Sequence, residues 1–403
     1  MTPELETYDA VVVGGGPAGS TAAQTLANTL KPTGVRVLMI DKPGRIKPCG
    51  GAVPPKLIRE YAIPEAQIAA RTRGARILAP SGREVDMPID EGYVGMVERE
   101  HFDEYLRQRA VAAGVERRDG AFQAFERDED GVAVIAFEPA DAPGETVKVK
   151  ARLVVAADGA RSKLAAQTVK GAGKVKSVFA YHEIVQAPDQ ASGAHYDRER
   201  CDVYYDGEVS PDFYGWVFPH GKTASVGTGS QVKGFSLRGA VRRLKAASGL
   251  EGCEVVRREG APLPYKPAPR WDNGRDVILA GDAAGAVAPS SGEGIFYAMT
   301  SGRMAAEGAA EFLRTGDAKA LAAVRKRFMK EHGQVFWILG IMQHFWYRND
   351  KRRERFVSIC ADPDVQRLTW QGYMEKALVK RDPAAHARIF FKDLANLLGL
   401  APR

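Results

Sequence analysis

Short apolar runs alternate with glycine turns and helical stretches at the start of the chain. An apolar run at 10–13 precedes a glycine-rich turn, and an alanine-rich stretch with helical spacing continues to about Leu30. A second apolar run, at 35–40, ends on Asp41. This succession predicts a strand, a helix and a second strand, which is typical of a parallel sheet covered by helices. Further strands are predicted at 92–97, 132–137, 153–157 and 277–280.

The pattern changes in the middle of the chain and again near the end. Residues from about 175 to 258 are richer in aromatic and β-branched types, with frequent Gly and Pro, which predicts an antiparallel sheet and a second domain. Four prolines within 261–270 predict an extended segment that crosses between domains. From residue 301 onward proline is sparse and helical spacing dominates, so we predict a helical C-terminal region.

These patterns predict an α/β fold with a Rossmann-like parallel-sheet domain, an inserted antiparallel-sheet domain and a helical C-terminal region. A chain of 403 residues can bury such a core without disulfide bonds. The parallel-sheet domain is assigned to 1–75, 97–170 and 270–310. The antiparallel-sheet domain is assigned to 76–96 and 171–269, and the helical region to 311–403.

Composition excludes some classes of protein, and charge adds one observation. Hydrophobic residues make up 45% and charged residues 27%, which are ordinary globular values and exclude a disordered or collagen-like chain. The net charge is +7, and the surplus lies in residues 301–403, with 19 basic and 11 acidic side chains. A basic excess suits nucleic acid, a membrane surface or an anionic substrate. Because no nucleic-acid motif accompanies it, we expect no nucleic-acid partner.

The cysteines and the N-terminal segment bear on the compartment. No two cysteines stand at a short metal-binding spacing, so we expect no structural zinc, no other metal and no disulfide framework. The polar, acidic N-terminal segment has no signal-peptide pattern. No apolar run reaches the roughly 18 residues that a spanning helix needs. We therefore expect the protein on the cytoplasmic side. The four cysteines are Cys49, Cys201, Cys253 and Cys360.

A dinucleotide-binding fingerprint, Gly14-x-Gly16-x-x-Gly19, lies between the first predicted strand and helix. Its glycines permit a tight turn, close approach of a pyrophosphate and close helix packing, and the helix N-terminus offers N–H groups to phosphate. Asp41, 22 residues after Gly19, is placed to bind ribose hydroxyls, which favours FAD or NAD over NADP. A glycine turn without a ligand is the alternative. The expected cofactor contacts here are Gly14, Gly16, Pro17, Ala18, Gly19, Asp41 and Lys42.

Two later strands end on an aspartate beside a glycine. One is followed by Asp158-Gly159 and the other by Gly281-Asp282. Such an aspartate can accept hydrogen bonds from ribityl hydroxyls while the backbone passes close to a flavin. Each pair alone is typical of a surface turn. Together with the glycine fingerprint, and in this order, they resemble the FAD-binding fold of the p-hydroxybenzoate hydroxylase superfamily.

The motif Arg99-x-x-Phe102-Asp103-x-x-Leu106 is also similar to that superfamily, in which the arginine lies near the FAD phosphates. Phe102 and Leu106 have helical spacing. A solvated arginine at the start of a helix is the alternative interpretation. The resemblance implies FAD as the cofactor, with further contacts from Arg99, Asp158, Gly281, Asp282, Gly292, Gly294 and Ile295.

An aromatic signature, Pro211-x-x-Tyr214-x-Trp216-x-Phe218-Pro219, is followed by Gly227-x-Gly229. This resembles the signature of the geranylgeranyl reductase family. Alternation along a strand places the three aromatic rings on one face, which suits a long apolar pocket for an isoprenoid chain. An ordinary core strand is the alternative, and core packing is also the alternative for Tyr204. The implied substrate contacts are Tyr204, Tyr214, Trp216, Phe218, Pro219, Gly227 and Gly229.

Residues 46–51, which include Cys49-Gly50-Gly51, look like a loop of the same family in which the cysteine faces the flavin ring. The resemblance implies cofactor contacts from these three residues. Cys49 is our candidate catalytic residue, as a proton donor or as a gate at the flavin face. A small residue that merely fits between its neighbours is the alternative. His182, His195 and His220 are either acids or satisfied surface groups, and we favour the second interpretation for all three.

Residues 360–366 are similar to the branch of the family that serves chlorophyll and bacteriochlorophyll biosynthesis. The resemblance implies an FAD-dependent reductase that hydrogenates the geranylgeranyl chain of a (bacterio)chlorophyll, of geranylgeranyl diphosphate, or of both, stepwise to phytyl. Only one dinucleotide fingerprint is present, so we expect no separate nicotinamide domain. The resemblance to the superfamily implies NADPH as a transient reductant, with reduced ferredoxin as the alternative. The rival interpretations are a flavin monooxygenase on the same scaffold, a prenyl-binding escort protein and an archaeal-type lipid reductase.

An apolar, aromatic stretch at 335–347 directly precedes a basic run at 348–355. This combination suits peripheral contact with an anionic membrane. We expect contact with the photosynthetic membrane from its cytoplasmic side. A solvated face on a packed helix is the alternative interpretation.

Overall fold

The computed structural model describes residues 5–44, 46–188 and 195–376. The chain divides into two compact units. The first unit comprises Met1–Ile46, Arg99–Ser177 and Pro262–Phe336, and the second comprises Lys47–Glu98, Val178–Ala261 and Trp337–Arg403. The boundaries differ from the predicted domains, because residues 47–75 belong to the second unit and the predicted C-terminal region is divided after residue 336.

Strands and helices alternate in the first part of the chain, and helices dominate the last part. The strands of the described residues are β1 (Thr7–Val13), β2 (Val37–Asp41), β3 (Ala52–Val53), β4 (Ala70–Thr72), β5 (Gly74–Leu78), β6 (Glu84–Pro88), β7 (Val94–Met96), β8 (Glu116–Arg127), β9 (Ala133–Pro139), β10 (Val147–Ala156), β11 (Ser177–Gln186), β12 (Arg200–Tyr204), β13 (Gly215–His220), β14 (Thr223–Ser230), β15 (Val255–Pro264) and β16 (Val277–Leu279). The α-helices are α1 (Pro17–Leu30), α2 (Pro55–Glu60), α3 (Arg99–Ala112), α4 (Lys163–Thr168), α5 (Leu237–Ala247), α6 (Ile295–Thr315), α7 (Lys319–Trp346), α8 (Asp350–Ile359) and α9 (Pro363–Glu375).

The sheet of the first unit has a parallel centre in the order β8, β2, β1, β10, β16. Strands β8 and β10 are long, and each also pairs antiparallel with β9. The central strands are buried along nearly their whole length, as expected of a parallel sheet covered on both faces. The predicted α/β fold and all six predicted strands are confirmed, although some ends shift by several residues.

Helix α1 packs against α3 and α6 in the first unit. It begins with Pro17, whose missing N–H costs nothing at the first helical position. A Cβ at Gly302 of α6 would lie 2.2 Å from the carbonyl oxygen of Ala18. Only glycine at this position lets the two helices approach so closely, and this contact holds the start of α1 in place.

The second unit contains a seven-stranded sheet in the order β15, β11, β14, β13, β12, β5, β6. The pairs β11–β14, β14–β13 and β13–β12 are antiparallel, which confirms the predicted antiparallel middle, whereas β12 and β5 are parallel. Helix α5 covers one face through Val241 and Leu244. A small sheet contains β3, β7 and β4. Residues 261–270 are predicted to be an extended segment that crosses between domains. The first part of this segment belongs to strand β15, which ends at Pro264.

Helices α7, α8 and α9 confirm the predicted helical character as far as residue 376. The predicted helical residues beyond 376 lie outside the described part of the chain. Among the described helices, none is both long enough and apolar enough to cross a bilayer.

Candidate active site

The glycine turn of the first unit combines tight packing with one open position. Gly14 has φ +105°, and a Cβ there would lie 2.3 Å from the carbonyl oxygen of Ala157. A Cβ at Gly19 would lie 1.8 Å from the carbonyl oxygen of Gly14. By contrast, Gly16 caps helix α1, and no atom lies within 4 Å of the place where its Cβ would be. The open position therefore adjoins the N–H groups of the first helical turn, which lack intrahelical partners.

Asp41 stands at the end of β2 beside this turn. A Cβ at Gly15 would lie 2.8 Å from the Asp41 carboxylate, and burial raises the pKa of that carboxyl group. Arg107 of α3 donates to Asp41 at 3.0 Å and to the carbonyl oxygen of Gly15 at 3.3 Å. The sequence interpretation missed Arg107, although a spacing of eight residues places it within the same broad helical stripe as Arg99. Lys42, the next residue of the chain, is exposed.

Arg99 opens helix α3 and is buried against Asp103. Its Nε and Nη2 donate to the two carboxylate oxygens at 2.8 and 2.6 Å, an i, i+4 pair within one helix. Phe102 and Leu106 are buried on the same helix, which confirms their predicted helical spacing. The solvated-arginine interpretation is therefore wrong, and contact between Arg99 and a phosphate stays a prediction.

Asp158 lies after β10 and caps the following helix. Its carboxylate accepts hydrogen bonds from the hydroxyl of Ser162 and, at 3.3 Å, from the N–H of Leu164. Burial raises the pKa of the Asp158 carboxyl group. The structure thus gives this aspartate a local capping role beside the role predicted for it at the cofactor.

The segment Gly281-Asp282 meets the start of α1. Gly281 has φ +61°, and a Cβ there would lie 2.6 Å from the Cβ of Ala18. Its N–H donates to the hydroxyl of Ser301 at 2.9 Å, and the Asp282 side chain is buried. Two predicted cofactor segments, far apart in sequence, therefore lie together in the first unit. The remaining predicted residues lie at the start of α6: Gly292 has φ +65°, Gly294 is the N-cap and Ile295 is the first helical residue.

These residues of the first unit fit a dinucleotide such as FAD. The open position at Gly16 leaves room for a pyrophosphate beside a helix N-terminus, and that first turn carries no acidic side chain that would repel it. Asp41, at the end of the neighbouring strand, suits ribose hydroxyls.

In the second unit, an aromatic row runs along one face of the seven-stranded sheet. The ring centroids of Tyr214 and Trp216 are 6.0 Å apart, and those of Trp216 and Phe218 are 6.4 Å apart. The predicted shared face is thereby confirmed. Tyr205 continues the row, with its centroid 6.1 Å from that of Tyr214. A Cβ at Gly227 would lie 2.2 Å from the Trp216 ring, so glycine is needed for the indole to lie there.

Tyr204 and Pro219, both predicted to contact substrate, do not belong to the aromatic row. Tyr204 pairs with Gly215, and its side chain packs in the cluster of Val217 and Leu244 beneath α5. Pro219 alternates with Phe218 along β13 and therefore faces the same way as Val217. Neighbouring strand residues point to opposite faces, so these two side chains lie away from the row, and their contact with substrate stays a prediction. Gly229 lies beside Val178 and Phe213, with a hypothetical Cβ 2.6 Å from Val178.

The loop Cys49-Gly50-Gly51 packs against the aromatic row within the second unit. A Cβ at Gly50 would lie 2.8 Å from the Phe218 ring, and one at Gly51 would lie 2.5 Å from the His220 ring. Gly51, with φ +74°, donates its N–H to the sulfur of Cys49 at 3.3 Å. The Cys49 side chain is half-buried.

Two of the three histidines interpreted as surface groups are buried on this face. His182 hydrogen-bonds to the Ser225 hydroxyl at 2.9 Å and to the Glu259 carboxylate at 2.6 Å. His220 is also buried, whereas His195 is exposed as predicted. The signal for His220 was present in the sequence, since it continues the two-residue alternation of Trp216 and Phe218.

The basic run at 348–355 is not a uniformly solvated surface. Arg353 is 2% exposed, and its guanidinium donates to the carbonyl oxygens of Ser210, Pro211 and Tyr347 at 3.1, 2.6 and 2.6 Å. Arg352 lies over the ring of Phe345, 4.2 Å from its centroid. The solvated charges of the run include Arg348 and Lys351.

Comparison with known proteins finds two matching domain families and several similar enzymes. Residues 58–329 match the FAD binding domain family, and residues 12–82 match the NAD(P)-binding Rossmann-like domain family. The geranylgeranyl diphosphate reductase of Rhodobacter capsulatus is 52% identical over 395 residues, covering 98% of each chain. The chloroplastic geranylgeranyl diphosphate reductase of Oryza sativa is 36% identical, over 96% of this chain and 85% of that protein.

The fold is also similar to a solved structure, that of a geranylgeranyl bacteriochlorophyll reductase-like protein from Thermoplasma acidophilum. The TM-score is 0.79 at 23% identity, over 98% of this chain and 99% of that one. At this identity the likeness concerns the fold alone.

Proposed function

Because the chain belongs to the geranylgeranyl diphosphate reductase family, we propose that it is an FAD-dependent reductase that hydrogenates a geranylgeranyl chain stepwise to phytyl, with NADPH as donor. The observation that carries the proposal is the aromatic row of Tyr214, Trp216 and Phe218 with the Cys49 loop packed against it. The substrate we propose is a geranylgeranylated (bacterio)chlorophyll, geranylgeranyl diphosphate, or both.

The first unit would hold FAD through the turn Gly14–Gly19, the carboxylate of Asp41 and the segment Gly281-Asp282. When bound, the reduced flavin supplies a hydride. The double bonds of the geranylgeranyl chain are not conjugated to a carbonyl group, so hydride addition also needs a proton at the neighbouring carbon. The protein must therefore bind the chain, keep water away from the reacting carbons and deliver that proton.

The second unit has residues for these tasks. The rings of the aromatic row offer an apolar surface to the isoprenoid chain and exclude water. The half-buried thiol of Cys49 belongs to the loop that packs against this row through Gly50, and it can give a proton from its sulfur. We propose Cys49 as the proton donor, with the Gly50 and Gly51 backbone closing the loop around it.

Two rival functions share the scaffold. A flavin monooxygenase would consume oxygen, and a prenyl-binding escort protein would not depend on flavin. The open position at Gly16 and the packed glycines of the turn leave room for a pyrophosphate. A protein that only escorts prenyl chains has no use for such a position, so these residues argue against the escort function. Against the monooxygenase, the family relationship is to reductases.

The decisive experiment is an anaerobic incubation of the FAD-loaded protein with NADPH and either a geranylgeranylated chlorin or geranylgeranyl diphosphate. We expect product masses to rise by two hydrogen atoms for each reduced double bond. No mass gain with either substrate contradicts the proposal, and a product formed only with oxygen supports the monooxygenase. A protein that cannot be loaded with FAD supports the escort.

Cys49→Ala is the variant that tests the proposed donor. It should retain FAD and lose prenyl reduction, while Cys253→Ala, which removes another half-buried thiol of the second unit, should keep both. Turnover at the unaltered rate in Cys49→Ala would exclude the thiol from the reaction.

We also propose peripheral contact with the cytoplasmic side of an anionic membrane, such as the photosynthetic membrane. Trp337 and Ile341 are 67% and 48% exposed, and their spacing of four residues places them on one face of α7. The exposed cations Arg348 and Lys351 follow in the same segment. Exposed apolar side chains near basic ones are what an anionic lipid surface attracts.

Flotation with phosphatidylglycerol vesicles tests this contact. The double substitution Trp337→Ser and Ile341→Ser should abolish flotation, and Lys351→Gln should weaken binding by about fivefold, since one cation contributes roughly 1 kcal/mol. Val232→Ser, which removes another exposed apolar side chain, is the control. Equal flotation of all variants, or equal binding to phosphatidylcholine vesicles, contradicts the proposal.

A further inference from the structure

His220 connects two acceptors in the core of the second unit. Its Nδ1 lies 3.0 Å from the Glu98 carboxylate, and its Nε2 lies 3.0 Å from the carbonyl oxygen of Gly50. A carboxylate and a carbonyl oxygen can only accept hydrogen bonds. Both bonds therefore form together only in the imidazolium form of the ring, which carries a hydrogen on each nitrogen.

The surroundings of Glu98 favour its carboxylate form, which pairs with the imidazolium form of His220. Burial by itself would raise the pKa of its carboxyl group, but His220, Arg257 and Thr223 lower it to about 2. The Thr223 hydroxyl donates to it at 3.1 Å, and Arg257 of β15 approaches within 3.4 Å. Arg257 also pairs with Glu259 at 2.9 Å. The charges around His220 are thus balanced within the network.

The bond from His220 reaches Cys49 through a single peptide group. The carbonyl oxygen of Gly50 and the N–H of Gly51 belong to the same amide, and that N–H donates to the Cys49 sulfur at 3.3 Å. A cation bound to the oxygen polarises the amide, so its N–H becomes a stronger donor. The sequence of contacts is therefore Glu98, His220, the Gly50–Gly51 peptide and the thiol.

The surroundings of Gly51 hold this peptide in place. Gly51 has φ +74°, a conformation that glycine adopts without strain. A Cβ there would lie 2.5 Å from both the His220 ring and the carbonyl oxygen of Val97. The carbonyl oxygen of Gly51 also accepts a hydrogen bond from the N–H of Val97 at 2.9 Å. The loop is thus fixed on both sides.

We propose that His220 is a positioning residue for the reductase reaction: with Glu98 it orients the Gly50–Gly51 peptide, and through that peptide it holds the Cys49 sulfur in place. The proposal rests on the proposed role of Cys49. In that step the S–H bond of Cys49 breaks and its proton forms a C–H bond at the less substituted alkene carbon. The hydride goes to the more substituted carbon, the sulfur keeps the electron pair as a thiolate, and solvent returns the proton.

The test measures the thiol directly, apart from turnover. The FAD-loaded protein is treated with iodoacetamide across a range of pH, and labelling at each cysteine is followed by peptide mass spectrometry. His220→Gln keeps an N–H donor but removes the charge. We expect labelling of Cys49 near neutral pH to slow about tenfold, equivalent to about 1.4 kcal/mol, the scale of one charge-assisted hydrogen bond. Cys253 is the internal control and should keep its rate.

Glu98→Gln is the second variant, because it preserves shape and still accepts from Thr223. It removes the counter-ion of His220 and should slow Cys49 labelling in the same direction, and the double variant should add little to either single change. His101→Gln, at an exposed histidine of α3, should have no effect. In turnover, His220→Gln should lower kcat and leave KM for the prenyl substrate unchanged.

Unaltered labelling of Cys49 in folded His220→Gln and Glu98→Gln proteins would overturn the proposal, whatever the substrate. Slowed labelling in a protein that reduces no prenyl chain would instead contradict the proposed function and leave the connection between His220 and Cys49 established.

Discussion

The indole nitrogen of Trp216 donates a hydrogen bond to the hydroxyl of Ser225 at 3.0 Å. The hydroxyl oxygen of Ser225 also lies 2.9 Å from Nδ1 of His182, whose other nitrogen binds Glu259. Since Ser225 accepts from the indole, its own hydrogen is available to His182. The ring at the centre of the aromatic row is therefore fixed by a buried polar chain as well as by packing.

Ser225→Ala should destabilise the protein by about 1–3 kcal/mol, because it leaves the indole N–H and a His182 nitrogen buried without their partner. Trp216→Phe removes the donor, so the two changes together should cost less than the sum of the single changes. Urea unfolding measures each free energy. Ser177→Ala, at a half-buried serine, is the control, and strict additivity would show that the contact does not couple the two residues.

Gly16→Ala and Gly14→Ala should separate cofactor binding from folding. A methyl group at Gly16 meets no protein atom, so the protein should fold with ordinary stability and lose affinity for FAD. A methyl group at Gly14 would overlap the Ala157 carbonyl at φ +105°, so this variant should unfold more easily. FAD titration and thermal unfolding measure the two effects. Gly252→Ala, also in open space, is the control, and full FAD affinity in Gly16→Ala would contradict the assigned phosphate position.

Glu98 should make stability depend on pH in the acid range. Its pKa is lowered from 4.5 to about 2 in the folded protein, so its contribution is fully present above about pH 4.5 and is lost as the pH falls towards 2. Glu98→Gln should flatten this part of the curve of unfolding free energy against pH. Glu199→Gln, which removes an exposed carboxylate, should leave the curve unchanged. An identical acid slope in wild type and Glu98→Gln would show that the pKa is not lowered.

Arg353→Gln should destabilise the second unit strongly. The guanidinium is the donor to three carbonyl oxygens, and its loss leaves buried acceptors unsatisfied at a cost of about 1–3 kcal/mol for each. Lys351→Gln, two residues earlier at an exposed position, should leave the free energy of unfolding unchanged within about 0.5 kcal/mol. Chemical denaturation measures the free energy of unfolding of both variants. Equal free energies would show that Arg353 is a solvated residue instead of a buried one. Vesicle experiments should therefore leave Arg353 intact.

Local signals determined the elements of this protein. The glycine spacing at 14–19 and the proline at position 17 belong to one turn and one helix. They can therefore be recognised without knowledge of any other part of the chain. The shared face of Trp216 and Phe218 follows from the two-residue period of a strand. The spacing of Phe102 and Leu106 follows in the same way from the helical period.

Long-range pairing determined which of these elements meet. The register of β12 on β13 places Tyr204 opposite Gly215 and away from the aromatic row. The residue pattern of β12 alone does not predict this register. Glu98 reaches His220 and Gly50 reaches Phe218 only because the second unit brings distant segments together. The burial of Arg353 could not be predicted from the basic run for the same reason, since two of its three carbonyl partners, those of Ser210 and Pro211, lie far away in sequence.

The sequence by itself therefore determined the cofactor turn, the aromatic row and the family resemblance, because each depends on residues that are close together in the chain. Only the tertiary structure decided that His220 and Ser225 support that row and loop, and that Tyr204 and Pro219 do not belong to the row. The physical reason is that periodicity fixes the face on which a side chain lies within its own element, whereas its hydrogen-bond partner is fixed by the packing of segments that the chain separates.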